Sequence, residues 1–204
     1  MRILRLIILS LVIALSTVIG PIGPVGVVGA VGPLVATQAS MAKKPTCSKK
    51  NKRAFVPVAA KLGGLPRTRI LALPRTTAGV PSTPPLTDSG KRLFAWDRPG
   101  IRPASGAGHV LLNAHVWPDG TALGDTLNAK LRVGNVIKVR GKLGRVQCYR
   151  VVKRVVATPS LRLTKKYYGT RTSKHRLAII TCSGTRLGPG NWTHRTVWFA
   201  KPTR

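Results

Sequence analysis

Three residues in this chain are placed so that they could carry acyl chemistry. Cys182 closes the apolar run Ala178-Ile179-Ile180-Thr181-Cys182 and is followed by Ser183-Gly184. His115 closes a second run, entered through Gly106-Ala107-Gly108 and continuing as His109-Val110-Leu111-Leu112-Asn113-Ala114. Arg195 stands near the head of a third, His194-Arg195-Thr196-Val197-Trp198-Phe199-Ala200. A thiol can attack a carbonyl carbon, an imidazole can protonate a departing amine, and a guanidinium can stabilise a thiolate or an oxyanion. Taken singly, a cysteine at the end of an apolar strand reads as a small buried filler. The three patterns together, in this order, point to chemistry.

At these residues the chain resembles the sortase family. The hallmark strand of sortases, Thr-Leu-x-Thr-Cys, is matched by residues 178–182, with Ala178 for Thr, Ile179 for Leu, and Thr181 and Cys182 in place. The family's histidine follows a glycine in an apolar strand, and His115 fills that position with Ala114 before it. Trp96-Asp97-Arg98-Pro99-Gly100 is similar to the aromatic segment upstream. Arg195 lies 13 residues after the cysteine and five before Ala200, similar to the family's arginine and the strand behind it. The resemblance spans roughly residues 69–201 and is closest to the actinobacterial class E/F-like type of Gram-positive bacteria.

This resemblance implies an all-β fold, a closed eight-stranded barrel with short helices, preceded by an apolar signal or anchor segment. It implies a catalytic set of His115, Cys182 and Arg195, with neither cofactor nor metal; the scarcity of acids leaves no carboxylate cluster for calcium. The implied reaction is cleavage of a Leu-Pro-x-Thr-Gly-like sorting signal between Thr and Gly, through a thioester on Cys182. The acyl group then passes to an amine of peptidoglycan or of a pilin subunit. A thiol of ordinary pKa, about 8.5, is mostly protonated near neutrality, and nearby cations lower it. Arg195, a protonated His115 and the chain's positive charge all predict a depressed value for Cys182.

Other residues compete for these roles. Gly108-His109 is closer in letters to a Gly-His pair, but it precedes the apolar run, so His109 is read as structural. His175 and His194 flank the site strands, and Arg186 rivals Arg195. A strand places a charge more reproducibly than a loop, which favours Arg195. The glycine-rich residues 184–192 are expected to form a loop flanking the groove. Leu65-Pro66-Arg67-Thr68 and Leu73-Pro74-Arg75-Thr76 mimic the sorting signal but lack its glycine, as chance in a Leu-, Pro- and Arg-rich stretch would produce.

The elements that must position these residues read as short strands. Glu is absent from the 204 residues, and Val, Thr, Gly and Pro recur between turn signals. Residues 110–114, 136–140, 145–157, 176–182 and 195–200 are rich in β-branched or aromatic types, and Gly141-Lys142-Leu143-Gly144 makes a hairpin of the second and third. Leu123, Leu127 and Leu131 recur every four residues, the spacing of a short helix laid on the sheet. Across residues 54–100 seven prolines separate short segments, so any strands there are expected to be short and at an edge. Cys47, Cys148 and Cys182 leave at least one thiol free unless it pairs between chains, and none has zinc-finger spacing.

Charge is extreme: 35 Lys and Arg against Asp88, Asp97, Asp119 and Asp125, a net +31. Such charge attracts any polyanion, and nucleic acid would be the first guess. The N-terminus argues otherwise. Past Arg2 and Arg5 no charge occurs from Leu6 to Ala42, which reads as an export signal. Gly20-Pro21 and Gly23-Pro24 interrupt it, and Thr37 and Ala39 offer a small-residue cleavage site; an uncleaved membrane anchor is favoured. The organisation expected is a signal or anchor over 1–42, a basic stalk over 43–54 and a catalytic barrel over 55–204. The barrel would then be exported, facing the cell wall from the membrane, or secreted if the signal is cut. Anionic wall polymers or lipid head groups fit the stalk, and nucleic acid ranks behind them. The rival reading is an exported basic binding protein for wall polymers or nucleic acid, on an inert barrel of the same shape. A third is a different cysteine peptidase.

Overall fold

In a computed structural model, residues 47, 53–160, 170 and 172–203 are described. The segment read as a signal or anchor, and most of the basic stalk, lie outside the described residues. Eight strands close a barrel: β1 (Pro57–Leu62), β2 (Thr68–Leu73), β3 (Phe94–Asp97), β4 (His109–Ala114), β5 (Val136–Gly141), β6 (Val146–Ala157), β7 (Arg176–Gly188) and β8 (Asn191–Thr203). Around the barrel they run β1-β2-β3-β4-β7-β8-β6-β5, and β5 returns to β1. The β2–β3 and β4–β7 pairs are parallel and the others antiparallel. One α-helix, α1 (Leu123–Lys130), and one 3-10 turn (Gly90–Arg92) stand among the described residues.

Alternation along the strands fills the interior. Val110, Leu112 and Ala114 of β4, Leu177 and Ile179 of β7, Ile137 and Val139 of β5 and Trp198 of β8 meet in one buried cluster. Trp96, Trp198, Tyr149 and Phe94 are among its largest members, and burying each contributes on the order of 2–3 kcal/mol. The intervening residues Leu111, Ala178, Ile180 and Val197 form a second buried cluster on the other face of β4, β7 and β8. Strands buried on both faces lose polar alternation, and so the stretches before His115 and Cys182 read as unbroken apolar runs. Leu127 and Leu131 of the α1 region join the main cluster, as their four-residue spacing requires.

Two expectations are corrected. The strands of the proline-rich region are short, but none lies at an edge: β1 pairs with β2 and β5, and β3 with β2 and β4. The prolines sit where a strand can spare an N–H, Pro57 opening β1 and Pro66 and Pro74 outside β2. Residues 184–192 are not a loop. They extend β7 and β8 into a hairpin that turns at Pro189-Gly190, where Gly190 takes φ +68°. Bulges between Ser183 and Gly188 break the alternation and hide the strand in the sequence. The thiol count resolves as one disulfide, Cys47–Cys148, and free Cys182.

The residues that mimic a sorting signal are committed to the fold. Leu73 pairs with Asp97 at the end of β2, and Arg75 grips the Asp97 carboxylate through Nε at 3.0 Å and Nη2 at 2.6 Å. Thr76 caps the turn that follows by accepting from the Val80 N–H.

Candidate active site

Register alone brings the three residues together. In the parallel β4–β7 pair Ala114 is matched with Thr181, so His115, just past the end of β4, lies beside Cys182 in the middle of β7. In the antiparallel β7–β8 pair Cys182 is matched directly with Arg195, and directly paired residues project to the same face. Ala114 and Ile179 point into the barrel, whereas Ile180 belongs to the cluster on the opposite face. Alternation therefore turns Cys182 outward with Ile180. There the three residues line a cleft of about 660 Å³.

The cleft has three walls. The first is the β2–β3 connection, with Val80, Pro81 and Leu86 facing the cavity. It is stitched to β4: Asn113 Nδ2 donates to the Ser82 carbonyl at 3.2 Å, and His115 Nε2 lies 2.6 Å from the Pro84 carbonyl. A carbonyl oxygen only accepts, so His115 carries its proton on Nε2 in this arrangement and its ring orientation is fixed. The second wall is the β4–α1 loop, where the Trp117 ring stands edge-on to His115 with centroids 6.1 Å apart. The third is the β7–β8 hairpin, with Arg186, Pro189 and Trp192.

All four acids brace this side of the barrel. Asp97 holds Arg75, while Asp88 and Asp119 hold Lys91 at 3.2 and 3.3 Å. The Lys91 ammonium also lies 5.6 Å over the Trp117 ring. Asp125, in the first turn of α1, accepts from the Ala122 N–H at 3.1 Å and the Trp117 N–H at 2.9 Å, fixing the helix start to the loop after His115. Gly124 donates to the His115 carbonyl at 2.7 Å, and a Cβ there would meet that same oxygen, so only glycine allows the approach.

Sequence reasoning missed Asn128. From α1 its Nδ2 donates to the Cys182 carbonyl at 2.9 Å, and its Oδ1 accepts from the buried Thr181 hydroxyl at 3.1 Å. One amide thus ties both residues of the Thr-Cys pair to the helix. An asparagine one residue past Leu127 carries no signal of this in the sequence; only the docking of the helix does.

Electrostatics at Cys182 differ from expectation. Burial pushes the thiol above its ordinary pKa, and the Arg195 charge pulls it down without cancelling that effect. The depressed value expected from the cations is thereby corrected, because loss of hydration outweighs their field. Arg195 is half-buried, and its Nη1 donates to the Trp192 and His194 carbonyls at 3.1 and 3.0 Å. Arg186 lines the same cleft from further along the hairpin, exposed and paired with Trp192.

The other histidines lie elsewhere. His109 begins β4, about 20 Å of strand before His115 at roughly 3.3 Å per residue, with its ring 5.6 Å from that of Phe199. His175 Nε2 is 2.9 Å from the Tyr149 hydroxyl, and burial lowers its pKa. His194 is matched with Ser183, and its Nδ1 lies 2.8 Å from the Thr193 hydroxyl. Among the described residues no three of His, Cys, Asp and Glu stand together as a metal site.

No protein-family profile matches the chain, and no curated protein matches it. Solved structures do. Sortase C1 from Streptococcus suis superposes with a TM-score of 0.53 at 16% identity, covering 74% of this chain and 74% of that one. Sortase A from Corynebacterium diphtheriae gives 0.54 at 18%, covering 74% and 62%. Sortase C1 from Streptococcus agalactiae, in complex with MTSET, gives 0.52 at 16%, covering 72% and 68%. The chain has the sortase fold, with the closed eight-stranded barrel that the sequence resemblance implied.

Proposed function

We infer that the protein is a sortase-type cysteine transpeptidase with Cys182 as nucleophile, His115 as proton donor and Arg195 as the stabilising cation. The observation that carries this is the register: His115 follows the end of β4 beside Cys182 of the parallel strand β7, and Arg195 is matched with Cys182. The substrate is an extended peptide of the Leu-Pro-x-Thr-Gly kind, which a cleft with largely apolar walls suits.

The thiolate of Cys182 attacks the carbonyl carbon between Thr and Gly, forming the C–S bond and a tetrahedral oxyanion. Arg195 stabilises that charge. The intermediate collapses as the C–N bond breaks, and a protonated His115 gives its proton to the departing glycine amine. An incoming amine, of peptidoglycan or of a pilin subunit, then attacks the thioester, and Cys182 leaves as thiolate while His115 takes the amine's proton. Arg195 is preferred to Arg186 because it lies opposite the cysteine and its charge reaches the thiol. An extracytoplasmic setting is supported by the Cys47–Cys148 disulfide, a bond that persists in oxidising compartments. The apolar residues 6–42 supply export and anchorage in this reading.

The test is product analysis with a Leu-Pro-x-Thr-Gly peptide library and amine donors. The expected outcome is cleavage between Thr and Gly with transfer exceeding hydrolysis, abolished in Cys182→Ala and His115→Ala. Cleavage at another bond, or hydrolysis alone, would mark a different cysteine peptidase.

A further inference from the structure

Asp125 is the last acid in the chain; residues 126–204 carry 19 Lys and Arg and no carboxylate side chain. Much of that charge falls on one surface. Inward positions of β1, β5, β6 and β8 are filled by Ala60, Leu62, Ile137, Val139, Tyr149, Val151 and Ala200. Alternation therefore turns Lys61, Lys138, Arg140, Arg150 and Lys201 outward, with Arg69 of β2 beyond them. Lys61 is matched directly with Lys138, and Arg150 with Lys201. Like charges directly opposite across a sheet repel. The three ion pairs among the described residues lie elsewhere, at Arg75 and Lys91.

We propose that this face, formed by β2-β1-β5-β6-β8, is a binding track for a flexible linear polyphosphate, a chain of closely spaced backbone phosphates that carries no bases. These are five consecutive strands of an eight-stranded barrel, so the row of cations follows about half its circumference. A planar membrane can touch only part of a row curved in this way, whereas a flexible chain can follow it. Adjacent strands about 4.8 Å apart offer a cation at each step or every second step, suited to a repeating anion. Single-stranded nucleic acid is held by charge together with exposed aromatic rings. Among the described residues the exposed large hydrophobic side chains are Val and Leu, without an aromatic among them. Cys148 faces outward between these cations, opposite Lys138, so the disulfide fixes Cys47 on the same face. Lys43, Lys44, Lys49, Lys50, Lys52 and Arg53 all lie within six residues of Cys47 in sequence. None of the track residues lines the cleft, so the track stands independently of the proposed catalysis.

The test uses the full chain in neutral detergent and end-labelled long-chain inorganic polyphosphate, titrated by fluorescence anisotropy over a range of salt. The variant K61Q/K138Q/R140Q/R150Q/K201Q should lower the slope of log K against log salt by about 3.5 to 4.5, at roughly 0.7–0.9 per lost phosphate contact. The variant R67Q/R92Q/R98Q/K130Q/K174Q, with the same loss of charge off the track, should change it by less than about 1, and Cys182→Ala should not change it. Because the track variant relieves repulsion, it should melt no lower than the parent. Equal loss in both five-residue variants, or none in either, would overturn the proposal. So would tighter track-dependent binding of oligothymidylate, or of phosphatidylglycerol vesicles, than of polyphosphate at equal phosphate.

Discussion

The Cys182 thiol is held between two opposing influences, and their balance is measurable. Burial disfavours the thiolate and Arg195 favours it, with burial the larger. The rate of alkylation by iodoacetamide should therefore rise with pH through a midpoint above the ordinary thiol value of about 8.5. Arg195→Ala should move that midpoint further up, and Arg186→Ala should leave it in place. A midpoint below the ordinary value, or an equal response to both arginines, would contradict the electrostatics described. That the three residues are candidates for one site was legible because each ends or begins a run of strand-forming residues. The direction of the thiol's shift was not. The cations were visible in the sequence, whereas the loss of hydration depends on walls contributed by residues 80–86 and 186–192.

At the scale of elements, the site is a consequence of two strand registers and one helix. The Thr-Cys pair in the middle of β7 is gripped by Asn128 through one backbone and one side-chain hydrogen bond. Removing that amide leaves the buried Thr181 hydroxyl and the Cys182 carbonyl short of a partner, a loss of about 1–3 kcal/mol. Asn128→Ala should lower kcat roughly 10- to 100-fold with little change in KM, because the nucleophile is misplaced while the cleft survives. A matching fall in thermal stability with unchanged kcat would assign Asn128 to the fold alone. The helix itself was readable from Leu123, Leu127 and Leu131, and the β5–β6 hairpin from its paired glycines. The β7–β8 hairpin was not, because bulges and a Pro-Gly turn interrupt the period-two pattern. The closure of β1–β3 into the barrel was hidden for another reason. Prolines beside short strands look the same whether a partner waits on one side or on both.

For the molecule as a whole, charge and covalent linkage describe where the barrel works more than what it does. Its four acids are all spent bracing the cleft side, leaving the opposite strands uniformly basic. The disulfide joins residues 101 apart, and closing a loop of that length removes much freedom from the unfolded chain. Cys148→Ser should lower stability by about 2–5 kcal/mol, read as an earlier denaturant midpoint, and a reductant should bring the parent down to the same level. If a reductant leaves the parent's midpoint unchanged, the linkage does not stabilise the fold. The central claim is that the outward thiol beside His115 and Arg195 is an acyl carrier. Its most direct measurement is intact-mass spectrometry of the protein mixed with Leu-Pro-x-Thr-Gly peptides in the absence of an amine acceptor. The account predicts a mass increase equal to the acyl fragment ending in Thr, located on Cys182, removed by hydroxylamine and absent in Cys182→Ala. No adduct from a broad peptide panel, or an adduct that persists in Cys182→Ala, would contradict it.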